Sequence, residues 1–312
     1  MEEIQPSTIA IAGAMMRAAH LLLDDEPKIL RDDLALGLSG LKDNKALREV
    51  IDGMISKVAQ RTTTEFAQSF LRSLRAEVAW RNRYAEDELE KALQCGVTQY
   101  VILGAGLDSF AYRSRDVAKA MQIFEIDLPA IQRWKQEQLH VLGVEIPSNV
   151  TFVPLDFEQQ TLWDVLQASG YHIVNPGFFS WLAVTSYLTE DAIFSTLIDI
   201  VSLATGTEIV FEYTVPDSLV NEEGQRLVAT AKAMATEGGE LPHSYFDPAS
   251  LRASVQALGF TVIEDIGPEE AYVRYFEGRR DELHPFPSFH IMKARVSSYA
   301  KPDKTKGNCH SS

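Results

Sequence analysis

The apolar positions change their rhythm once, close to residue 97. From Ser7 to about Gln94 they recur at helical spacing, in Ile9, Ile11, Met15 and Met16 and again in Phe66, Phe70, Leu71 and Leu74. Breaks fall at Asp24–Pro27 and Gly37–Lys42, where turn-forming residues gather. With few β-branched runs in between, the pattern predicts a helical cap over residues 1–95.

Beyond Val97, short apolar runs alternate with helical stretches. Strands are predicted at Gln99–Leu103, Gln122–Asp127, Val150–Leu155, Phe178–Ala183 and Thr207–Tyr213. Thr261–Ile266 and Ser288–Ala294 supply the last two. Ile131–Leu142 and Glu190–Ala204 read as helices between strands. Such alternation implies βαβ units. The expected fold is therefore a doubly wound, mostly parallel seven-stranded α/β sheet over residues 96–296. Asp217–His243 departs from the pattern: it is polar, carries Gly224, Gly238 and Gly239, and reads as an insertion reaching about residue 245. A helix follows, with Asp247 as N-cap, Pro248 in its first position and Gly259 just past its end. Residues 297–312 read as a flexible tail.

Composition changes this picture little, since 46% hydrophobic and 23% charged residues are ordinary for a globular chain. Charge says more. A formal net charge of -15 repels phosphate backbones, which makes nucleic acid a poor partner and favours a small-molecule one. Two cysteines, Cys95 and Cys309, suggest neither a disulfide framework nor a metal site, and fit a reducing, cytoplasmic setting. The apolar stretch Ile9–Leu23 is interrupted by Arg17 and His20, so it makes a poor membrane span. Met1–Pro6 carries two glutamates where a secretion leader would be basic. No His, Asp or Glu spacing suggests a metal.

Three strand ends carry the candidate chemistry. Gly104-Ala105-Gly106 closes the first strand, and glycines there let the backbone turn sharply and come close to a ligand. The other reading is a plain strand-to-helix turn. Asp127 closes the second strand about 20 residues on, where a carboxylate can accept from ribose hydroxyls, or simply cap the helix beginning at Leu128-Pro129. Asp156-Phe157 closes the third; a carboxylate there can accept from an adenine amino group, or cap its own turn. Ser109 stands where a dinucleotide site needs a third glycine beside a pyrophosphate. A sulfonium cofactor has no pyrophosphate, and this favours S-adenosylmethionine over NAD.

These residues, in this order, resemble the class I S-adenosylmethionine methyltransferases of the leucine carboxyl methyltransferase type. The likeness is carried by Arg81-Asn82-Arg83-Tyr84, by Gln99 to Leu107 with Asp108 and Arg113, and by Glu125-Ile126-Asp127-Leu128-Pro129. Asp156-Phe157, Trp181 to Thr189 and Tyr275-Phe276-Glu277-Gly278-Arg279 complete it, so it spans about Ser7 to Arg295. It implies a Rossmann-like methyltransferase fold and S-adenosyl-L-methionine as cofactor, with S-adenosyl-L-homocysteine as product and no metal. By the same resemblance Arg81 grips the cofactor carboxylate, with Arg83 competing for that role. Gly104, Ala105 and Gly106 lie against the methionine part, Asp127 and Leu128 hold the ribose, and Asp156 and Phe157 hold the adenine. Where leucine carboxyl methyltransferases carry Glu-Gly, this chain has Leu182-Ala183. That departure speaks against methylation of a protein C-terminal leucine and for the bacterial branch of small-molecule O-methyltransferases in secondary metabolism.

In-line methyl transfer needs orientation above all. A carboxylate acceptor needs no base, whereas a phenol benefits from one. Candidates on the acceptor side are Tyr187, Tyr213 and His243, with Glu212 and Tyr245 beside them; His243 also reads as a solvated loop residue, and Tyr213 as a packed strand-end aromatic. Glu86-Asp87-Glu88 reads as a solvated helix face. Two alternatives stay open, an NAD-dependent oxidoreductase and a non-catalytic S-adenosylmethionine-binding protein.

Overall fold

The computed structural model describes residues 7–238 and 241–298. Seven strands form one sheet: β1 (Gln99–Leu103), β2 (Gln122–Asp127), β3 (Val150–Pro154), β4 (Phe178–Trp181), β5 (Glu208–Thr214), β6 (Phe260–Ile266) and β7 (Phe289–Val296). Their order is β3-β2-β1-β4-β5-β7-β6. β1 to β5 run parallel, and β7 lies antiparallel between β5 and β6. The expected doubly wound sheet is thus present. Its connections leave β1 and β4 toward opposite edges, which opens a crevice at their carboxyl ends.

Among the described residues, four helices precede the sheet: α1 (Thr8–Leu23), α2 (Ala35–Leu38), α3 (Asn44–Ala59) and α4 (Thr64–Gln94). The others are α5 (Phe110–Arg113), α6 (Arg115–Ala118), α7 (Pro129–Val141), α8 (Leu162–Ala168), α9 (Glu190–Val201), α10 (Glu222–Gly238), α11 (Pro248–Leu258) and α12 (Pro268–Tyr275). Local signals fix several ends. Ser7, Thr63 and Asp247 cap α1, α4 and α11 with their side chains, and Gly259 closes α11 in the left-handed conformation.

β1, β4 and β5 are buried along their whole length, as strands covered on both faces must be. Val101, Leu103, Phe179, Trp181 and Phe211 feed one core, and Tyr100, Ile102, Phe178 and Val210 feed the other. The N-terminal helices join these same cores. Leu47, Ile51, Phe70 and Leu71 pack into the first, Ala76, Ala79 and Trp80 into the second, and α4 rests on β4 and β5.

Three local expectations are corrected. The polar insertion contains a helix, α10, whose Leu227, Val228, Ala231 and Met234 face the first core; their i, i+1, i+4, i+7 spacing is hidden among Gly, Thr and Glu. β4 stops at Trp181 because Ala183 takes a positive φ of 58°, which a strand cannot hold. Glu86-Asp87-Glu88 is not a solvated face. Glu86 pairs with Arg113, Asp87 with Arg83, and the buried Glu88 with Lys91 and Lys293. Among the described residues no helix is long and apolar enough to cross a membrane. Met1–Pro6, and the predicted tail from Tyr299 onward, lie outside the described residues.

Candidate cofactor and acceptor site

The carboxyl ends of β1 to β4 open into a cavity of about 790 Å³. The glycine turn lies at its centre. Gly104 and Gly106 have φ of 65° and 42°, in the region glycine favours. A Cβ on Gly104 would sit 2.2 Å from Cγ2 of Val184, and one on Gly106 would sit 3.3 Å from Cβ of Ala10. The turn is therefore pressed between the loop after β4 and the first turn of α1. Ala105 N–H donates to the Ile126 carbonyl at 2.9 Å and ties the turn to β2.

Asp127 follows directly. Its carboxylate accepts from the N–H of Gly106 at 2.5 Å and from that of Leu128 at 2.7 Å. Burial raises its pKa, against the pull of those two donors. An ionised carboxylate offers about four lone-pair directions, so room is left for hydroxyl donors. Beside it Leu128 lines the cavity and stays 42% exposed. Asp156 and Phe157 line it too. Asp156 accepts from Glu158 N–H at 3.0 Å and Gln159 Nε2 at 2.8 Å, while Phe157 packs on Trp181 with ring centres 5.6 Å apart.

At another wall stands Arg81. Its Nη1 donates to both carboxylate oxygens of Glu212, at 3.1 and 3.2 Å, and its buried Nε–H has no partner. Glu212 also accepts from the Ala183 N–H at 2.6 Å, which holds that residue in its left-handed conformation. One turn back on α4, Glu77 is fully buried. Trp80 Nε1 and Phe286 N–H donate to its Oε2 at 2.9 and 3.0 Å, and Oε1 has no partner. Burial and the adjacent Glu212 carboxylate push its pKa up to about 8. Of the two arginines in question, Arg81 lines the cavity. Arg83 is absent from the lining and pairs with Asp87 on the helix surface at 2.6 Å.

Sequence reasoning missed Arg17. On α1 it registers only as a break in an apolar run, yet it is buried in the cavity wall, with Nε on Asp32 at 2.7 Å and Nη2 on the Leu107 carbonyl at 2.6 Å. Asp32 accepts in addition from Ser109 Oγ at 2.6 Å. Burial works against the charge on Asp32, but the Arg17 and Arg113 cations outweigh it and hold its pKa low. Ser109, in the third-glycine place, thus has its own task of pinning the glycine turn to the N-terminal helices. The usable signal was physical: a charge on the buried stripe of an apolar helix requires a partner.

The acceptor-side candidates separate. Tyr187 lines the cavity. Tyr213 does not: it is fully buried in the core, donates its hydroxyl to Asp265 at 2.8 Å and stacks near His290. A strand-end residue of β5 points to the core or to the crevice according to register, and sequence alone left that open. His243 is exposed and absent from the lining, with its backbone N–H on the Ser186 carbonyl at 2.8 Å. Tyr245 bonds to the Pro242 carbonyl at 3.2 Å. Glu212 is buried, absent from the lining and paired with Arg81. Among the described residues no group of three or more His, Cys, Asp or Glu side chains is arranged to hold a metal ion.

Strand order, glycine turn and acidic strand end together define a class I S-adenosylmethionine-dependent methyltransferase. The leucine carboxyl methyltransferase family model matches residues 10–201, more than half of the chain, and the protein belongs to that family. YktD of Bacillus subtilis, named as an S-adenosyl-L-methionine-dependent methyltransferase, is 29% identical over 305 residues, covering 94% of this chain and 99% of its own. A Mycobacterium avium protein named likewise is 30% identical over 268 residues, 83% of each chain. The crystal structure of a DUF574 family protein from Streptomyces avermitilis matches with a TM-score of 0.58 at 14% identity, covering 93% of this chain and 97% of that one. That last likeness concerns the fold alone.

The residues present fit the cofactor. The glycine turn lines the cavity, Asp127 keeps free acceptor directions, and Arg81 keeps an unpartnered donor.

Proposed function

We propose that the protein is an O-methyltransferase acting on a carboxylate or phenolic hydroxyl of a small metabolite. The observation that carries this reading is one cavity whose lining brings the glycine turn, Asp127 and Arg81 together with Tyr187 and Leu188. Its volume, about 790 Å³, falls within the roughly 300–1,000 Å³ of small-molecule sites. The net charge of -15 disfavours a nucleic-acid substrate. The reading includes a cytoplasmic location, for which the cysteine usage is the support.

In this reading Arg81 meets the cofactor carboxylate, Gly104 to Gly106 lie along the methionine part, Asp127 accepts from the ribose and Leu128 packs on it, and Asp156 with Phe157 bounds the adenine. When bound, the cofactor supplies a methyl carbon already activated by positive sulfur. What this chain must do is hold an acceptor oxygen in line and keep water out. The helices α1–α4 and the 217–245 insertion serve as the lid, since Ala10 and Leu241 both reach the cavity.

Calorimetric titration with S-adenosylmethionine, S-adenosylhomocysteine and NAD tests the reading. Both sulfur nucleosides should bind, NAD should not, and Asp127→Ala should weaken binding by about tenfold or more, the loss expected from removing charged hydrogen bonds. Binding of NAD in place of the sulfur nucleosides would sink it.

A further inference from the structure

The ionisable groups of the cavity are unevenly placed. Asp108, Asp127, Asp156 and Glu158 stand at the ends of β1, β2 and β3. Across the crevice, the loop after β4 and the start of α1 contribute Ile9, Ala10, Val184 and Leu188 with the uncharged Ser7, Thr8 and Tyr187, and the insertion contributes Leu241. The only charged side chain that α1 adds is Arg17, whose guanidinium is bound to Asp32 and to the Leu107 carbonyl.

The chain just beyond Leu241 is tied to the body of the fold. Two residues on, His243 N–H donates to the Ser186 carbonyl at 2.8 Å; next to it Ser244 Oγ donates to the Leu188 carbonyl, and Phe246 N–H to the Thr214 carbonyl at 2.9 Å. The segment is thereby strapped to the 3-10 turn Thr185–Tyr187 and to the end of β5. Even so, Leu241 remains 50% exposed. Leu128, the other large exposed apolar side chain of this cavity, lies next to the ribose position; Leu241 has no such cover. A half-exposed leucine in the lining of a cavity is suited to an apolar ligand.

We propose that the methyl acceptor has an apolar body, an aliphatic chain or an aromatic ring, which lies against Ile9, Ala10, Val184, Leu188 and Leu241, and that Leu241 sets this preference. This rests on the acceptor reading given above. A polyhydroxylated or multiply charged body would lose most of its water-facing hydrogen bonds against the five apolar side chains, which offer none in return. The apolar body needs none, and its burial against the wall drives binding.

The test is calorimetric titration of the protein loaded with S-adenosylhomocysteine, using octanoate and 4-hexylphenol as apolar probes and gluconate and glutamate as polar ones. At least one apolar probe should bind tenfold or more tighter than both polar probes. Leu241→Asp and Leu241→Gln should each weaken that probe tenfold or more, with S-adenosylhomocysteine affinity kept within twofold as proof of an intact fold. Leu219→Asp, at an equally exposed leucine outside the lining, should change neither. Equal or tighter binding of the polar probes, no binding of either apolar probe, or unchanged probe binding in both Leu241 variants would overturn the inference. Failure of S-adenosylhomocysteine to bind at all would be a different result, removing the functional reading on which the inference stands.

Discussion

The two halves of the cavity hold their side chains by different means. On the side of β1, β2 and β3 the polar groups are fixed by nearby backbone. Asp127 is held by the N–H of its own neighbour Leu128 and by Gly106 one strand away, and Asp156 by Glu158 and Gln159. On the side of α1, α4 and the β4 loop the ties are distant in sequence. Arg81 meets Glu212 across 131 residues, Arg17 meets Leu107 across 90, and Ser244 meets Leu188 across 56. The first half is a set of strand ends that any parallel sheet of this order brings together. The second half exists only once the N-terminal helices and the insertion have docked. A single substitution in the first half should therefore act on the cofactor alone, and one in the second on whatever the docking positions.

The largest break in that comparison comes from Gly104→Ala. The added Cβ would overlap Val184, and the φ of 65° is itself unfavourable for alanine. S-adenosylhomocysteine affinity should fall about 100-fold, close to 3 kcal/mol. The double variant Gly104→Ala with Val184→Ala should recover part of the loss. A change under threefold would mean that the turn is not pressed between two walls. Next in size is Arg81→Lys. The charge beside Glu212 is kept, so the fold is not left with a lone buried carboxylate, but the planar fork is lost. About tenfold weaker binding is expected, near 1.4 kcal/mol, against less than twofold for Arg83→Lys. Equal losses in the two would return the choice between these arginines to where the sequence left it.

Legibility divides along the same line. β1 and β2 were placed residue for residue because short apolar runs end in Gly and Asp, whose backbone demands are local. Asp127 and Gly104 stand out by the same route, and both line the cavity. Arg17 and Glu77 were not, since each looks like a surface charge on a helix until a partner from another element covers it. Tyr213 shows the converse: position at a strand end is legible, the face it points to is set by the register against β7 and β6. The helix in the insertion was hidden because its apolar residues are spaced by small and charged ones. Ala183 keeps a backbone conformation that suits glycine, held by Glu212 from the next strand.

The smallest effect on affinity, and the one that reads pH, comes from Glu77→Gln. In the folded chain the carboxyl of Glu77 keeps its proton up to about pH 8, whereas exposed in the unfolded chain it would lose it near the ordinary 4.5. A folded-state pKa raised in this way makes a contribution to stability that is whole below about 4.5 and is lost as pH climbs to about 8. In that window wild-type stability should fall, from this group, by at most about 1.4 kcal/mol per pH unit. Glutamine cannot ionise and is free of the loss. The variant should therefore be no more stable than wild type at pH 5, where its amide replaces a neutral acid beside Trp80 and Phe286, and more stable at pH 8.5. Urea unfolding at the two pH values reads the difference directly. S-adenosylhomocysteine affinity at pH 7 should stay within about threefold, because Glu77 lies behind Arg81 and Glu212 and is absent from the lining. If the stability gap between the two proteins were the same at both pH values, Glu77 would be ionised in the fold, and Arg81 would then be shared by two buried carboxylates instead of one.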